Sequence, residues 1–339
     1  MKPQLKPIAD QVVVIVGTSS GIGRQTARRF AERRATVVIT ARDEGALNDA
    51  LEDVRAAGAA NALGIVADVV EPGQLEDVAA RAVESFGRID TWVQIPGVAV
   101  YAPFEDTTPD EFRRVIEVNL LGQAYGAMAA LPRLRAAGGG ALIEVSSVEA
   151  DVALPYHSAY AASKHGMSGF LRALRIELEA EGAPIAVTQV QPASIDTPFF
   201  RNARTKLGVE PRPVPPVYDP DIVAQVILHA AEHPTRDVYA GGAGIGLAAL
   251  RRLSPRLLEA VLARIGEPLQ RTNTPKDEAA GDSLDAPLAT TNQVHGGYGG
   301  RRWSVGTWLQ LHPWMVRAAA GVATLGGLVV LRRRGQERG

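Results

Sequence analysis

The stretch "VVVIVGTSSGIG", residues 12–23, decides the fold of this chain. Its first five residues are apolar and β-branched without alternation, which is typical of a strand buried on both faces. Gly17, Gly21 and Gly23 follow, and sequence of helical period begins at Ile22. A glycine turn between a strand and a helix lets backbone N–H groups approach a pyrophosphate. The stretch therefore predicts a nucleotide-binding unit, and an ordinary tight turn without a ligand is the alternative.

The alternation of strand-like and helix-like sequence continues from this unit. Further apolar runs predict buried strands at residues 36–40, 62–67, 90–95, 141–146 and 185–190. Stretches of helical period lie at residues 22–33, 44–57, 72–86, 110–135 and 157–181. Strands that are apolar on both faces and alternate with helices are the signature of a parallel sheet covered by helices. We therefore expect an α/β fold with a doubly wound parallel sheet.

Composition argues against several classes of function. The 36 Lys+Arg and 37 Asp+Glu of the 339 residues nearly cancel, so no nucleic-acid partner is expected. The chain has no cysteine, which excludes disulfides and thiolate metal sites, and its six histidines show no metal-ligand spacing. No metal site is therefore expected. Because residues 1–10 lack the apolar core of a signal peptide, we expect a cytoplasmic protein.

Residues after the second and third predicted strands indicate which nucleotide binds. Enzymes that use the unphosphorylated dinucleotide usually carry an acid after the second strand, which holds the ribose hydroxyls. This chain has Ala41 and Arg42 there, and a guanidinium suits a 2′-phosphate. The pattern favours NADP(H) over NAD(H), although Asp43 would mask Arg42 if the two paired, and a solvated Arg42 is the alternative. Asp68 and Val69 are expected beside the adenine.

The stretch "AYAASKHG", residues 159–166, places Tyr160 four residues before Lys164 on a predicted helix. Residues four apart project from the same face of a helix. A free tyrosine, with a pKa of about 10, is a poor base at neutral pH, and a cation within about 4–6 Å lowers that pKa. The pair therefore predicts a phenol that exchanges protons; a packed tyrosine with a solvated lysine is the alternative. Ser147, at the end of the fifth predicted strand, is near enough along the chain to reach the phenol.

Together with Asn119 in the long fourth helix, these motifs resemble the short-chain dehydrogenase/reductase family. That family is characterised by a GxxxGxG turn, an asparagine, a serine and YxxxK, and the resemblance runs over residues 12–240. It implies a Rossmann-like fold and hydride transfer between a nicotinamide cofactor and a carbonyl/alcohol pair of a small-molecule substrate. It also implies a homodimer or homotetramer, assembled through the two long helices.

The resemblance assigns roles to the residues at the family's motif positions. Tyr160 would be the general acid/base, and Lys164 would bind the nicotinamide ribose and lower the pKa of the phenol. Ser147 would hold the substrate oxygen, and Asn119 would help to position a water molecule that leads protons to solvent. The residues expected to contact the cofactor are Gly17, Thr18, Ser19, Ser20, Gly21, Ile22, Gly23, Arg42, Asp68, Val69, Gly97, Tyr160, Lys164, Pro192, Ile195 and Thr197.

Two stretches depart from the family pattern. The family's NNAG after the fourth strand reads "VQIPG" at residues 93–97, where Ile95 cannot form side-chain hydrogen bonds and Pro96 has no backbone donor. The family's PG after the sixth strand reads Pro192–Ala193, and alanine disfavours a positive φ. We expect a rearranged set of contacts around the first stretch. A scaffold or redox sensor that binds NADP but turns over poorly is therefore the alternative to an enzyme.

Composition divides the chain beyond the motifs. Residues 8–245 are expected to form a single catalytic domain and residues 246–267 an amphipathic helical extension. Residues 268–302 are rich in Pro, Gly and polar side chains with few large apolar ones, which predicts a flexible linker. Residues 303–339 form an apolar C-terminal tail.

The tail carries features of a membrane-associated segment. Its uninterrupted apolar run, residues 318–331, is shorter than the about 20 residues that a spanning helix needs. Trp303, Trp308 and Trp314 suit a membrane interface, and the arginines at 332–334 suit anionic lipids. We expect contact with the inner face of a membrane; a true anchor and an apolar helix between subunits are the alternatives.

Overall fold

The structure, a computed structural model, describes residues 3–276, 281–288, 292–312 and 314–315. Its strands are β1 (Val12–Val16), β2 (Thr36–Ala41), β3 (Asn61–Val66), β4 (Thr91–Gln94), β5 (Val100–Tyr101), β6 (Gly140–Val145), β7 (Ile185–Pro192), β8 (Arg204–Thr205), β9 (Val209–Pro211), β10 (Asp237–Ala240) and β11 (Arg271–Pro275). Its α-helices are α1 (Gly21–Glu32), α2 (Glu44–Ala56), α3 (Pro72–Phe86), α4 (Pro109–Ile116), α5 (Gly122–Ala136), α6 (Ser158–Ala180), α7 (Phe199–Asn202), α8 (Pro220–Glu232), α9 (Gly242–Leu253), α10 (Pro255–Gln270) and α11 (Val305–Leu311).

Seven of the strands in the described part of the chain form one parallel sheet, in the order β3–β2–β1–β4–β6–β7–β10. In its register, Val14 of β1 lies between Val38 of β2 and Trp92 of β4. The strand order reverses between β1 and β4, because the chain runs outward to β3 and then returns to the other side of β1. Ligands of such sheets bind at the carboxyl ends of the strands beside this reversal. The predicted α/β fold with a Rossmann-like, doubly wound sheet is confirmed.

The packing of β1 explains why its sequence is apolar without alternation. Val14 and Val16 pack with α3, α5 and α6 on one face of the sheet, whereas Val13 and Ile15 pack with α1, α2 and α8 on the other. All four side chains are at most 1% exposed. Burial of each contributes about 1.5–3 kcal/mol to folding. The strand is therefore fixed between two cores, and its carboxyl end carries the glycine turn.

The helix expected at residues 110–135 is interrupted near its middle. A π-helical turn, Glu117–Leu121, separates α4 from α5, and Asn119 lies inside this turn with no exposed surface. A π turn widens the helix by one residue and occurs often at functional sites. Here it lets Asn119 reach the backbone of Val98, which donates to Oδ1 at 2.8 Å and accepts from Nδ2 at 2.9 Å.

The amphipathic extension predicted at residues 246–267 consists of two helices rather than one. α9 begins at Gly242, and α10 begins at Pro255 after a break at Ser254, whose φ is −152°. The ring of proline clashes with the preceding helical turn and the residue before it is pushed to extended φ and ψ, so a helix cannot continue through this point. Because Pro255 is also well suited to the first position of a new helix, the chain turns here.

The structure does not show the flexible linker that was predicted at residues 268–302. β11 pairs with β9, and residues 281–288 and 292–302, which we call the strap, lie against the catalytic domain. Buried Asp196 accepts hydrogen bonds from the backbone of Gly296, Tyr298 and Gly299 at 2.8–3.1 Å. Leu284 is 1% exposed in the core that contains α3 and α6. The polar composition predicted flexibility, but backbone hydrogen bonds and ion pairs hold this segment, so it needs few large apolar side chains to stay in place.

Only the start of the predicted tail lies within the described residues. The apolar run 318–331 and the arginines at 332–334 fall outside them. α11 packs along the edge strand β10, where the side chain of Gln310 accepts from the backbone of Tyr239 at 3.1 Å. Trp303 and Trp314 are both 63% exposed. Among the described residues no helix is long and apolar enough to cross a membrane.

Candidate active site

The glycine turn after β1 is so tight that side chains would not fit. A Cβ at Gly23 would lie 1.9 Å from the carbonyl oxygen of Gly17, which has a φ of +85°. Gly21, with a φ of +54°, would bring a Cβ 3.1 Å from Thr197. Bare backbone therefore lines this end of a cleft of about 290 Å³ that opens beside β1 and β4. The N-terminus of α1, beginning at Gly21, faces the same cleft.

Nearly all of the residues predicted to contact a cofactor line this cleft. Those in its wall are Gly17, Ser19, Ser20, Gly21, Ile22, Gly23, Arg42, Asp68, Val69, Gly97, Tyr160, Lys164, Pro192, Ile195 and Thr197. Thr18 is not among them: it is fully buried, and its hydroxyl donates to the carbonyl of Thr40 at 3.1 Å. Asn119 also lies behind the wall, where Nδ2 contacts Ser163 Oγ at 3.2 Å.

Ser147 and Tyr160 meet at the edge of the cleft. Ser147 follows β6 at its carboxyl end, and Tyr160 lies in the first turn of α6. Tyr160 is 9% exposed, and its interaction with the hydroxyl of Ser147 lowers the pKa of the phenol. Phe199 of α7 packs beside it with ring centroids 5.8 Å apart. The serine and tyrosine that the sequence motifs indicated therefore lie together in the structure.

Lys164 lies beneath Tyr160 and is almost fully buried. Its side chain is 1% exposed, and Nζ lies 5.6 Å from the centre of the Tyr160 ring. Nζ donates to the carbonyl of Val145 at 3.1 Å. Burial disfavours the ammonium, which lowers the pKa of Lys164 to about 8, although the carboxylates of Glu144 and Glu149 oppose this effect.

The expected depression of the Tyr160 pKa does not appear in the structure. Burial raises the pKa of the phenol well above its ordinary value of 10.0, the negative charge of Glu149 raises it further, and only Ser147 lowers it. The sequence shows the cation one helical turn away, which lowers the pKa of the phenol, but it does not show the loss of solvent around the ring, which raises that pKa. Desolvation is the larger effect because both groups are enclosed.

Two buried polar residues lie beside Tyr160, and the sequence motifs assigned a catalytic or binding role to neither. Glu149 Oε1 lies 2.9 Å from His157 Nδ1, and the two side chains are at most 7% exposed. The ring of His157 lies 3.9 Å from that of Tyr101 and 4.9 Å from that of Tyr160, centre to centre. The available signal was an acid and a histidine, Glu149 and His157, between Ser147 and Tyr160 in the sequence.

Arg42 lies at the other end of the cleft, and Asp43 does not pair with it. Asp43 Oδ1 accepts from the backbone of Ala46 at 2.7 Å, which caps α2. Arg42 Nη2 instead donates to the carbonyl of Ser283 in the strap at 3.0 Å. Burial lowers the pKa of Arg42, while the charge of Asp68 opposes that effect. The guanidinium is thus available to an anion at this end of the cleft.

The strap completes this end of the site, a role that sequence reasoning did not predict. Ser283, Pro287, Leu288 and Asn292 line the cleft. The carbonyl of Gln293 accepts from the backbone N–H of Gly21 at 2.9 Å. The segment therefore covers the glycine turn and the Arg42 end together.

The stretch that departs from the family pattern is held by other contacts. Gln123 Nε2 donates to the carbonyl of Pro96 at 2.8 Å, and Asn119 holds Val98 through two hydrogen bonds. Pro96 packs against the glycine turn, since a Cβ at Gly17 would lie 2.8 Å from its ring. Ala193 is not among the residues with positive φ, so alanine causes no strain there. These contacts hold the stretch without the side chains of the family's NNAG pattern.

Comparison with known proteins gives matches over most of the chain. A family model described as short chain dehydrogenase matches residues 11–208. The oxidoreductase YxnA of Bacillus subtilis (strain 168) is 38% identical over 284 residues, which cover 82% of this chain and 80% of that protein. Cis-4-hydroxycyclohexanecarboxylate dehydrogenase of Sinomonas cyclohexanicum is 35% identical over 228 residues, which cover 66% of this chain and 90% of that protein. 

The fold itself has close counterparts among solved structures. A short chain dehydrogenase/reductase from Burkholderia phymatum in complex with NAD has a TM-score of 0.68 at 24% identity, covering 75% of this chain and 96% of that one. At this level of identity the likeness shows the fold alone.

Proposed function

The chain belongs to the short-chain dehydrogenase/reductase family and is an oxidoreductase, and from that premise we propose that it interconverts a carbonyl and an alcohol with NADP(H). The observation that carries the proposal is the meeting of Ser147, Tyr160 and Lys164 at the edge of a cleft floored by bare glycine backbone. A phenol and a hydroxyl side by side can hold and protonate one substrate oxygen. This is the chemistry that a carbonyl needs when it accepts a hydride.

The residues of the cleft fit a nicotinamide dinucleotide. The side-chain-free backbone of the glycine turn would admit a pyrophosphate at the N-terminus of α1, where the N–H of Gly21 donates to the carbonyl of Gln293 in the strap. Val69 and Ile195 supply apolar walls, and Arg42 supplies a cation where the 2′-phosphate of NADP would lie. The bound cofactor supplies or accepts the hydride.

The chain's own residues supply the proton and the orientation. Ser147 would hold the substrate oxygen, and Tyr160 would give its phenolic proton to that oxygen during reduction or take one during oxidation. Lys164, with one hydrogen bond to Val145, has further N–H donors for the nicotinamide ribose. The side-chain amide of Asn119 is engaged with Val98 and Ser163. Asn119 would therefore support the proton path by holding Val98 and the end of the cleft in place, and its amide would not bind the protons' carrier directly.

The cofactor preference rests on Arg42. Since Asp43 caps α2 instead of pairing with Arg42, the guanidinium can contact a phosphate. We expect Arg42→Gln to raise the KM for NADPH about 10- to 100-fold, because one charged hydrogen-bonding pair is lost. The KM for NADH should change little.

Kinetics with both cofactors at fixed substrate measure this effect. Arg28→Gln, an exposed position on α1, is the matched control and should leave both KM values unchanged. Equal changes for NADPH and NADH in Arg42→Gln would contradict the NADP preference.

The substrate end of the cleft indicates an apolar, ring-sized substrate. Around Tyr160 it is lined mainly by apolar and aromatic side chains, with Arg212 as a cation in the same wall. Two cations nearby are already paired, Arg204 with Asp282 and Lys206 with Glu111. Arg212 therefore makes a carboxylate on the substrate acceptable, as in the substrate named for the Sinomonas relative.

The experiment that tests the function follows oxidation of NADPH against a panel of carbonyls. The panel contains cyclic ketones with and without a carboxylate, such as cyclohexanone and 4-oxocyclohexanecarboxylate, and linear ketones and aldehydes. Turnover of at least one class supports the enzyme. NADPH binding without turnover of any would favour the scaffold or redox sensor, which the departing residues 93–97 suggested.

Assembly and domain organisation are part of the proposal. Met128 of α5 and Ile176 of α6 are each 66% exposed, so apolar surface remains on the two long helices. We expect a homodimer or homotetramer through these helices, measured as mass by light scattering. Residues 8–245 would form the catalytic unit, completed at the cofactor end by the strap. A monomer at micromolar concentration would contradict the assembly.

A further inference from the structure

A buried acid–histidine pair joins the two segments that carry Ser147 and Tyr160. Glu149 lies in the short turn Val148–Ala150 directly after Ser147, and His157 directly precedes α6. Glu149 Oε1 and His157 Nδ1 are 2.9 Å apart, and the backbone N–H of Glu149 donates to Ser147 Oγ at 3.1 Å. The pair therefore fixes the spacing between the serine turn and the start of the tyrosine helix.

The ring of His157 also supports the phenol directly. It lies between the rings of Tyr101 and Tyr160, with centre-to-centre distances of 3.9 and 4.9 Å. Glu149 and His157 are only 5% and 2% exposed. A side chain packed this closely cannot move without moving Tyr160.

The hydrogen bonding indicates which charge the pair carries. His157 Nε2 and Glu149 Oε2 are buried and have no partner among the described residues. A doubly protonated imidazole would bury an N–H at Nε2 without an acceptor, whereas the tautomer with its proton on Nδ1 leaves a lone pair there. The geometry therefore fits a His157 whose Nδ1–H donates to the Glu149 carboxylate, with the negative charge of Glu149 beside Tyr160.

We propose that Glu149 and His157 are positioning residues that hold Tyr160 at the cleft and keep a negative charge beside it, so that the phenol enters the reaction as a proton donor. This inference rests on the proposed function and adds the direction of reaction that the site favours, which is reduction of the carbonyl. In carbonyl reduction the phenol O–H bond breaks and a new O–H bond forms on the substrate oxygen, while the carbonyl carbon accepts the hydride of the reduced cofactor. The phenolate left behind regains its proton from solvent.

The other groups around Tyr160 are one cation, one further buried carboxyl group, two phenols and an apolar ring. Lys164 of α6 faces the phenol from below, with Nζ 5.6 Å from the ring centre. Glu144 of β6 is fully buried, and burial raises its pKa well above the ordinary value, although the charge of Lys164 opposes this effect. Tyr101 of β5 and Tyr298 of the strap are phenols whose pKa values are also raised by burial. Phe199 of α7 is apolar.

The ionisation of Tyr160 can be measured without turnover. Ultraviolet difference titration of the cofactor-free protein against Tyr160→Phe isolates this one phenol from the others. In the parent, Tyr160 should ionise above its ordinary value of 10.0. Ionisation of the parent phenol near neutral pH would overturn the proposal, and this measurement does not depend on whether any other variant folds.

Glu149→Gln tests the source of the effect. The amide oxygen still accepts from His157, but the charge is gone, so the titration of Tyr160 should move down by about one pH unit. Glu144→Gln is the matched control: it alters an equally buried carboxyl group that is not among the groups that shift the pKa of Tyr160, so the titration should stay in place. An unshifted titration in Glu149→Gln, or an equal shift in both variants, would refute the inference.

The pH profile of turnover gives the second readout. With a substrate from the carbonyl panel, the alkaline rise of alcohol oxidation should move to lower pH in Glu149→Gln by the same amount, because oxidation needs the phenolate. A variant that loses rate equally at every pH would show a purely structural pair. Absence of turnover in the parent would sink the proposed function, whereas an unshifted titration sinks only this inference.

Discussion

Tyr160→Phe is expected to lower kcat by about 10²- to 10⁴-fold, the usual contribution of a positioned general acid. The substitution removes one oxygen from a ring that is packed between His157 and Phe199, so the shape of the site is kept. Binding of NADPH should change little, since the phenyl ring still lines the cleft. The measurement is steady-state turnover with a substrate found in the panel, together with NADPH titration by fluorescence.

The control for this variant is a tyrosine of the same chain outside the cleft. Tyr125→Phe removes a phenol from α5, which is not part of the cleft wall, and should leave kcat unchanged. If Tyr160→Phe kept more than about a tenth of the parent's kcat, the proton would come from another group, since a lost general acid costs at least about 10²-fold. The assignment of Tyr160 as the acid would then be wrong.

The fold was predictable from local sequence because each element carried its own signal. Six of the seven strands of the sheet and the helices between them were found within a few residues, since a strand buried on both faces gives an unbroken apolar run. Helix α8 was not predicted. β10 was missed, because a four-residue edge strand carries little pattern. The break at Ser254 was also missed, although Pro255 was the visible reason for it.

The site was predictable only where a short motif encoded it. The spacing of Tyr160 and Lys164 and the glycine turn depend on one turn of helix or of backbone, so sequence alone brought these residues together. The strap and the Glu149–His157 pair depend on tertiary contacts, such as the hydrogen bonds from Gly296 and Tyr298 to Asp196. No local pattern records a contact between residues about a hundred positions apart, and a polar, glycine-rich composition pointed away from it.

The same difference between local pattern and tertiary packing explains why the predicted direction of the Tyr160 pKa shift was wrong. Sequence showed a cation one helical turn from the phenol, and Coulomb attraction to a phenolate follows from that alone. Burial depends on the packing of α6, β6 and α7 around the ring, and it opposes both charges at once. The structure thus contains an ammonium and a phenol that are each held toward their neutral forms.

Lys164→Met is expected to abolish turnover while making the cofactor-free protein more stable. The methionine occupies a similar volume without a buried charge, so the unfolding free energy at pH 7 should rise by about 1–3 kcal/mol. Turnover should fall about 10²-fold or more, because the ribose and the phenol lose the cation that orients them. Chemical denaturation and steady-state kinetics of the same preparation measure the two effects.

The pH dependence of stability provides a separate check on this prediction. The pKa of Lys164 is about 8 in the folded protein and 10.5 when unperturbed, so between these values the unfolded chain binds more protons than the folded one. The contribution of this group to the unfolding free energy of the parent therefore rises with pH from about 8 to about 10.5. Lys164→Met lacks that rise, so its stability advantage over the parent should shrink across this interval.

Lys6→Met, which removes a partly exposed lysine paired with Asp90, is the control and should change stability by less than about 1 kcal/mol at any pH. If Lys164→Met were less stable than the parent at pH 7, the surroundings would fully compensate the desolvation cost of the buried ammonium. Stability and catalysis would then not be in conflict at this residue.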